Sequence, residues 1–208
     1  MRFSVGVRGL GARMSRRSFL KGTSAATAGL TALEAALTPA GAAADEALVF
    51  GPDAVSITLR VNGEAHTVAV EPCATLAQVL RGPLNLTGTK VACDRGSCSA
   101  CTVLLDGAPV ASCSMLALDV GNRAITTIEG LASGETLHPV QAAFIEHDAL
   151  QCGFCTPGMV LSSAALLERN PQPNAADVKA AISGHVCRCG TYPHVVDAVL
   201  AAAQARRG

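Results

Sequence analysis

Nine cysteines are the residues of this 208-residue chain whose type and spacing could do chemistry: Cys73, Cys93, Cys98, Cys101, Cys113, Cys152, Cys155, Cys187 and Cys189. The stretch ALQCGFCTPGM sets Cys152 and Cys155 apart by only Gly153 and Phe154. A Cys-x-x-Cys of this kind serves as a redox dithiol, half of a zinc site, half of an iron–sulfur site, or part of a disulfide network. Cys187-x-Cys189 follows far downstream. Taken alone, the four thiols stay ambiguous between zinc, iron–sulfur and disulfide. A thioredoxin-like role is weak, because the pair is not set in a βαβ pattern. A Rieske site needs two His ligands, and no cysteine here has a His at the right offset. His185, two residues before Cys187, reads as an exposed residue before a tight turn.

The earlier block is more specific. Cys93-x4-Cys98-x2-Cys101, with Cys113 further on, has the spacing of plant-type 2Fe–2S ligation. Four thiolates must converge on one small anionic cluster from a loop and a neighbouring strand, with backbone N–H groups turned toward the sulfurs. That demands small side chains, and Gly96, Ser97, Ser99 and Ala100 supply them. Structural zinc usually takes two short C-x2–4-C hooks, a pattern this block fits poorly. Cys73, in EPCATL, reads as a small buried apolar residue outside both quartets. His66, His138, His147 and His194 lack partner spacing and read as surface or capping residues.

Something must hold these thiols. Half of the chain is hydrophobic, yet it has one Tyr, five Phe and no Trp, so large anchoring side chains are scarce. The formal net charge is zero but unevenly placed. Residues 1–44 carry six Lys and Arg against Glu34 alone; residues 45–208 carry ten basic and fifteen acidic residues, 10 − 15 = −5. An acidic body argues against nucleic acid as a partner. In front, SRRSFLK precedes a weakly apolar Ala/Thr/Gly stretch and then AAADE, with Ala42 and Ala44 framing a cut before Asp45. Basic, apolar and small-residue regions in that order make a secretory signal, and Arg16-Arg17 ahead of Phe19-Leu20-Lys21 has the twin-arginine form. Periplasmic export is therefore expected. The stretch is too polar for an anchor, so no membrane span is expected after cleavage. Exported cysteines normally form disulfides. The twin-arginine route removes the conflict, since it carries chains already folded around their cofactors.

After a linker at 45–53, Ile57, Leu59 and Val61 alternate before Asn62-Gly63, and Val68 and Val70 after it, which predicts a hairpin. TLAQVL predicts a helix capped by Thr75. A second hairpin is expected at Asp106-Gly107, with Cys113 arriving from its outgoing strand, and AITTIEG is expected as a last short strand. Beyond residue 130 the pattern turns helical: HPVQAAFIEH, TPGMVLSSAALLER, NAADVKAAIS with Asn174 as N-cap and Gly184 as C-terminal stop, and PHVVDAVLAAAQARR with basic residues in its last turn. The fold class is α+β on a small mixed sheet, followed by helices. The domains read as residues 1–44 (twin-arginine signal), 45–53 (linker), 54–130 and 131–208.

LTGTKVACDRGSCSACTVLLDG, TTIEGL, HPVQAAF, QCGFCTPGM and GHVCRCGTY, in that order over roughly residues 54–200, resemble the iron–sulfur subunit of the molybdenum hydroxylases, the xanthine oxidase and aldehyde oxidoreductase family. CRCGTY and the twin-arginine leader are reminiscent of periplasmic aldehyde oxidoreductase and isoquinoline-oxidoreductase-like small subunits. The resemblance implies a β-grasp plant-type ferredoxin domain followed by an all-α four-helix domain, with one 2Fe–2S cluster in each. It implies Cys93, Cys98, Cys101 and Cys113 as one ligand set and Cys152, Cys155, Cys187 and Cys189 as the other, with Gln151 and Cys189 near the molybdopterin of a partner subunit. Ala92 and Ser99 stand where relatives usually have Gly. A left-handed backbone at either would be strained, and the Ser99 hydroxyl is a possible donor to a cluster sulfur.

The implied function is electron relay in an oxidoreductase complex, with substrate chemistry on a separate molybdopterin-binding large subunit and an FAD subunit or cytochrome as acceptor. An aldehyde is the expected substrate, with an N-heterocyclic aromatic as the alternative. The alternative of a different class is a secreted binding module stabilised by zinc or disulfides.

Overall fold

A computed structural model describes residues 51–206, all within one compact unit. The leader expected at 1–44 and most of the linker lie outside the described residues.

β1 (Val55–Val61) and β2 (Glu64–Val70) pair antiparallel from Val55↔Val70 to Val61↔Glu64. Asn62 and Gly63 make the turn with φ of 52° and 88°, the two left-handed positions that a tight hairpin requires. α1 (Leu76–Arg81) starts at Thr75, whose side chain accepts from the Gln78 amide while the Gln78 side chain accepts from the Thr75 amide. Such a cap contributes about 1 kcal/mol. β3 (Thr102–Leu105) and β4 (Ala108–Ala111) form the second hairpin. β5 (Ala124–Thr126) enters the middle of the sheet, parallel to β1 and antiparallel to β3, giving the order β2-β1-β5-β3-β4. One helix laid on this mixed five-stranded sheet is the β-grasp. Leu76, Val79 and Leu80 of α1 meet Leu59, Val61, Val103 and Ile125 in a single core. Burying each contributes roughly 1.5–3 kcal/mol.

AITTIEG holds strand geometry for only three residues and then turns into a 3-10 segment, Ile128–Gly130. Side chains explain the stop. Asn62 binds both the amide (2.9 Å) and the hydroxyl (3.0 Å) of Thr127, and the Glu129 carboxylate accepts from the Gly88 amide at 2.7 Å and the Thr127 hydroxyl at 2.6 Å. The backbone is drawn out of the ladder to make these bonds.

Four helices follow: α2 (Pro139–Glu146), α3 (Thr156–Arg169), α4 (Ala175–Ala181) and α5 (Tyr192–Ala205). Their core is Phe144, Met159, Leu167, Val178, Val195 and Val199 with many alanines around them. His138 caps α2 through Nδ1 and Asn174 caps α4 through its side-chain oxygen. Two expectations fail in detail. α4 ends at Ala181, so Gly184 is no helix stop. A Cβ there would lie 3.2 Å from the Ser99 hydroxyl, so its smallness serves a close approach. The last turn of α5 has no basic residue; Arg206, just past it, instead reaches Glu168 at 2.7 Å.

α3 joins the halves. Leu161 and Ala165 pack on Leu104 of β3, with Ile128 and Leu131 at the rim. At Gly158 a Cβ would come within 2.4 Å of the Ser99 carbonyl oxygen, so the helix can touch the 93–101 loop only through glycine. Among the described residues no helix is long and apolar enough to cross a membrane.

Candidate metal centres

The first quartet sits on the irregular stretch between α1 and β3. Arg81 at the end of α1 steadies its approach, donating to the carbonyls of Thr87 and Thr89 at 2.8 and 2.7 Å. The chain then coils tightly, with left-handed φ at Asp94 (52°), Gly96 (72°) and Ser99 (56°). Gly96 meets both demands of the coil, the left-handed φ and the space, since a Cβ would lie 2.6 Å from the Ser114 hydroxyl. This coil aims amides at sulfur: Gly96 N–H to Cys113 Sγ at 3.2 Å, and Ser97 N–H to Cys93 Sγ at 3.3 Å. Cys113 N–H points at Cys101 Sγ at 3.4 Å. Cys113 lies one turn beyond β4, on the 3-10 segment Ser112–Ser114.

The thiols come together in twos. Cys93 and Cys98 bear on each other's protonation, as do Cys101 and Cys113, whose amide points at Cys101 Sγ. In the helical half, Cys155 and Cys187 meet in the same way, with Cys152 close enough to Cys155 to act on it electrostatically. Cys189 packs against the same core on the Cys187 turn, and Gln151 and Cys152 are exposed at its edge. Among the described residues no three His, Cys, Asp or Glu close on a single ion. The pairing in the first set suits a dinuclear centre, in which each iron takes two thiolates; in the second set Cys155 and Cys187 form such a pair. Together with amides already turned toward the sulfurs, this donor set fits 2Fe–2S groups.

Protonation differs within each quartet. The Arg95 amide and the Cys98 side chain draw the Cys93 thiol down to about 7. Burial pushes Cys101 up to about 11 and Cys155 up to about 12, the latter helped by Cys187. At Cys187 burial raises the pKa, but the Thr191 hydroxyl and the Thr191 and Gly190 amides outweigh it, leaving about 7. Each quartet thus holds one thiol drawn toward its thiolate form and one whose proton is held more firmly. Metal binding releases that proton.

Three readings need correction. Cys73 is exposed, on the turn before α1, with Sγ 3.9 Å from the Glu71 carboxylate. His185 is buried, 6% exposed, with Nε2 2.8 Å from the Ser162 hydroxyl. It underlies the Cys187 turn, and nothing in its sequence spacing signalled that. Of the two residues in place of Gly, Ser99 takes the left-handed backbone and Ala92 does not. The strain at Ser99 is about 1–2 kcal/mol. Its hydroxyl lies toward Gly184; the hydrogen bonds to first-quartet sulfurs come instead from the Gly96, Ser97 and Cys113 amides, with the Ser114 hydroxyl 3.7 Å from Cys113 Sγ.

The two halves meet at the quartets themselves. The Val186 amide donates to the Cys98 carbonyl at 3.1 Å. One hydrogen bond therefore joins a cysteine of the first set to the residue before Cys187 of the second.

A β-grasp half and a helical half, each offering four cysteines, define a protein with two iron–sulfur binding domains. Residues 59–125 match the 2Fe–2S iron–sulfur cluster binding domain, and residues 127–200 match a second [2Fe–2S] binding domain. The nicotine 6-hydroxylase small subunit of Paenarthrobacter nicotinovorans is 50% identical over 148 residues, covering 71% of this chain and 89% of the relative. The aldehyde oxidoreductase iron–sulfur-binding subunit PaoA of Escherichia coli is 40% identical over 201 residues, covering 89% and 86%. The crystal structure of quinoline 2-oxidoreductase from Pseudomonas putida 86 superposes with a TM-score of 0.72 at 43% identity, covering 75% of this chain and 98% of that one. The chain belongs to the family of iron–sulfur small subunits of the molybdenum hydroxylases. Its role is electron transfer within an oxidoreductase.

Proposed function

We propose that this chain relays electrons from a molybdopterin-binding large subunit to an acceptor through two 2Fe–2S clusters, one held by Cys93, Cys98, Cys101 and Cys113 and the other by Cys152, Cys155, Cys187 and Cys189. The observation that carries this reading is the Val186 amide to Cys98 carbonyl bond, which makes the two thiol sets close neighbours. When bound, each cluster takes up and releases one electron at a time, so a pair in series divides a two-electron oxidation into single steps. The chain's own residues do the rest. Gly96, Ser97 and Cys113 amides stabilise negative charge on the first set of sulfurs. Cys155 and Cys187 are buried in the helical half, which keeps water from them. Gln151 and Cys189 flank the exposed edge where the molybdopterin of the partner would approach. Asp94 to Ser97 on the first-quartet loop are exposed, and an acceptor such as an FAD subunit or a cytochrome would receive electrons there.

The domains divide near residue 130 in this reading, with residues 1–44 as a twin-arginine signal that sends the folded complex to the periplasm. Support for the leader comes from the similarity to PaoA, which spans 89% of the chain, a larger share than residues 49–208 make up. The same similarity supports an aldehyde as the substrate of the complex. Purification from the native host under anaerobic conditions tests the whole reading. About four iron and four sulfide per chain, two paramagnetic centres after dithionite, and a co-purifying molybdenum-bearing subunit are expected. Stoichiometric zinc, or no paramagnetic signal, overturns it.

A further inference from the structure

Thr191 occupies the N-cap of α5, where a threonine hydroxyl ordinarily accepts from the amide of the second or third helical residue. Here it makes no such bond. The side chain turns back instead, and Oγ1 lies 3.3 Å from Cys187 Sγ. Thr191 is 8% exposed and Cys187 9%, so the contact is closed to water. Oγ1 makes no other hydrogen bond among the described residues. Direction follows from chemistry. A metal-bound cysteine is a thiolate without a proton, so the sulfur accepts and the Thr191 hydroxyl donates. In the other quartet the hydroxyl nearest a sulfur is Ser114, at 3.7 Å from Cys113, and it is only part-buried.

We propose that the Thr191 hydroxyl sets the reduction potential of the helical-half centre by donating to the Cys187 thiolate. This rests on Cys187 being a cluster ligand, as argued above. No bond forms or breaks when the centre is reduced: one electron arrives from the large subunit, and negative charge on the ligating sulfurs grows. A donor aimed at that sulfur stabilises the reduced, more negative form, and its effect is large because the site is dry. Thr191 is thus a positioning residue that acts through Cys187.

The experiment is an EPR-monitored redox titration of the purified complex. Thr191→Val keeps the shape and removes the donor without touching any capping bond. The helical-half centre becomes roughly tenfold less reduced at a fixed potential, the size of one charge-assisted hydrogen bond, or about 59 mV for a one-electron couple. Thr191→Ser stays close to wild type, and the first centre does not move in either variant. Thr191→Ala is the second donor-less variant should the Val protein assemble poorly. A wild-type midpoint in an assembled Val or Ala variant overturns the proposal. So does loss of the centre in both, which would make Thr191 a structural residue. A wild-type complex lacking the helical-half centre would instead sink the ligand assignment, a distinguishable failure.

Discussion

The two thiol sets solve one problem with a different balance of donors. Three of the first set lie on one continuous loop, and the set's sulfurs receive mainly backbone amides whose aim depends on left-handed residues such as Gly96. The second is held by two hooks at helix ends, where side chains join the Thr191 and Gly190 amides around Cys187. The Thr191 hydroxyl reaches Cys187 Sγ at 3.3 Å, and the Tyr192 hydroxyl accepts from the Cys187 amide at 2.7 Å while donating to the His185 carbonyl at 2.9 Å. Backbone donors persist whatever the side chains, provided the loop keeps its path. Side-chain donors can be removed one at a time. The first set should therefore be set by conformation, and the second tunable by substitution.

The strongest test separates the sets altogether. Cys101→Ala and Cys155→Ala are each expected to remove one paramagnetic centre and about half of the iron, leaving the other centre's spectrum in place. If either variant loses both centres, the halves are not independent sites and the contrast fails. Gly158→Ala attacks their junction. Its Cβ would press on a backbone oxygen, Ser99 O, at 2.4 Å, and overpacking of this kind costs about 1–3 kcal/mol. Gly184→Ala, facing only a hydroxyl at 3.2 Å, should cost much less. Urea melts of the two variants should rank them in that order.

Ser162→Ala asks whether the second set depends on side-chain support. It leaves the buried His185 Nε2 without its partner at 2.8 Å, a loss of about 1–2 kcal/mol, and should broaden the spectrum of the helical-half centre only. The smallest effect is a pH dependence at the start of the helical half. Burial, with Arg206 nearby, lowers the pKa of His138 in the fold, and Glu168 opposes this in part. Below about 6.5 the unfolded chain then binds the proton more readily, so stability is lost as pH falls from there toward the folded pKa. Protonation also removes the Nδ1 lone pair that accepts from the Val140 amide at 3.3 Å. Thermal melts at pH 7 and 5 should show a smaller drop for His138→Asn, which caps without titrating, than for wild type.

Much of this protein was legible in the chain itself, and for local reasons. Asn62-Gly63 and Asp106-Gly107 specify tight turns whatever surrounds them. Thr75 and Asn174 carry their own capping partners three residues on. The Cys93, Cys98 and Cys101 spacing, with small residues between, already describes one tight loop that carries three thiols. What tertiary structure alone decided involves residues far apart in sequence or set by their burial. Gly158 and Gly184 are small because Ser99 lies against them. His185 is buried because Ser162 on α3 meets its ring, and AITTIEG ends as a strand because Asn62 reaches Thr127. The hydroxyl of Thr191 could have capped its own helix, and only the packing of the Cys187 turn directs it to sulfur. Spacing reports which groups a few bonds can bring together; burial and long-range contact report which of them are held there dry.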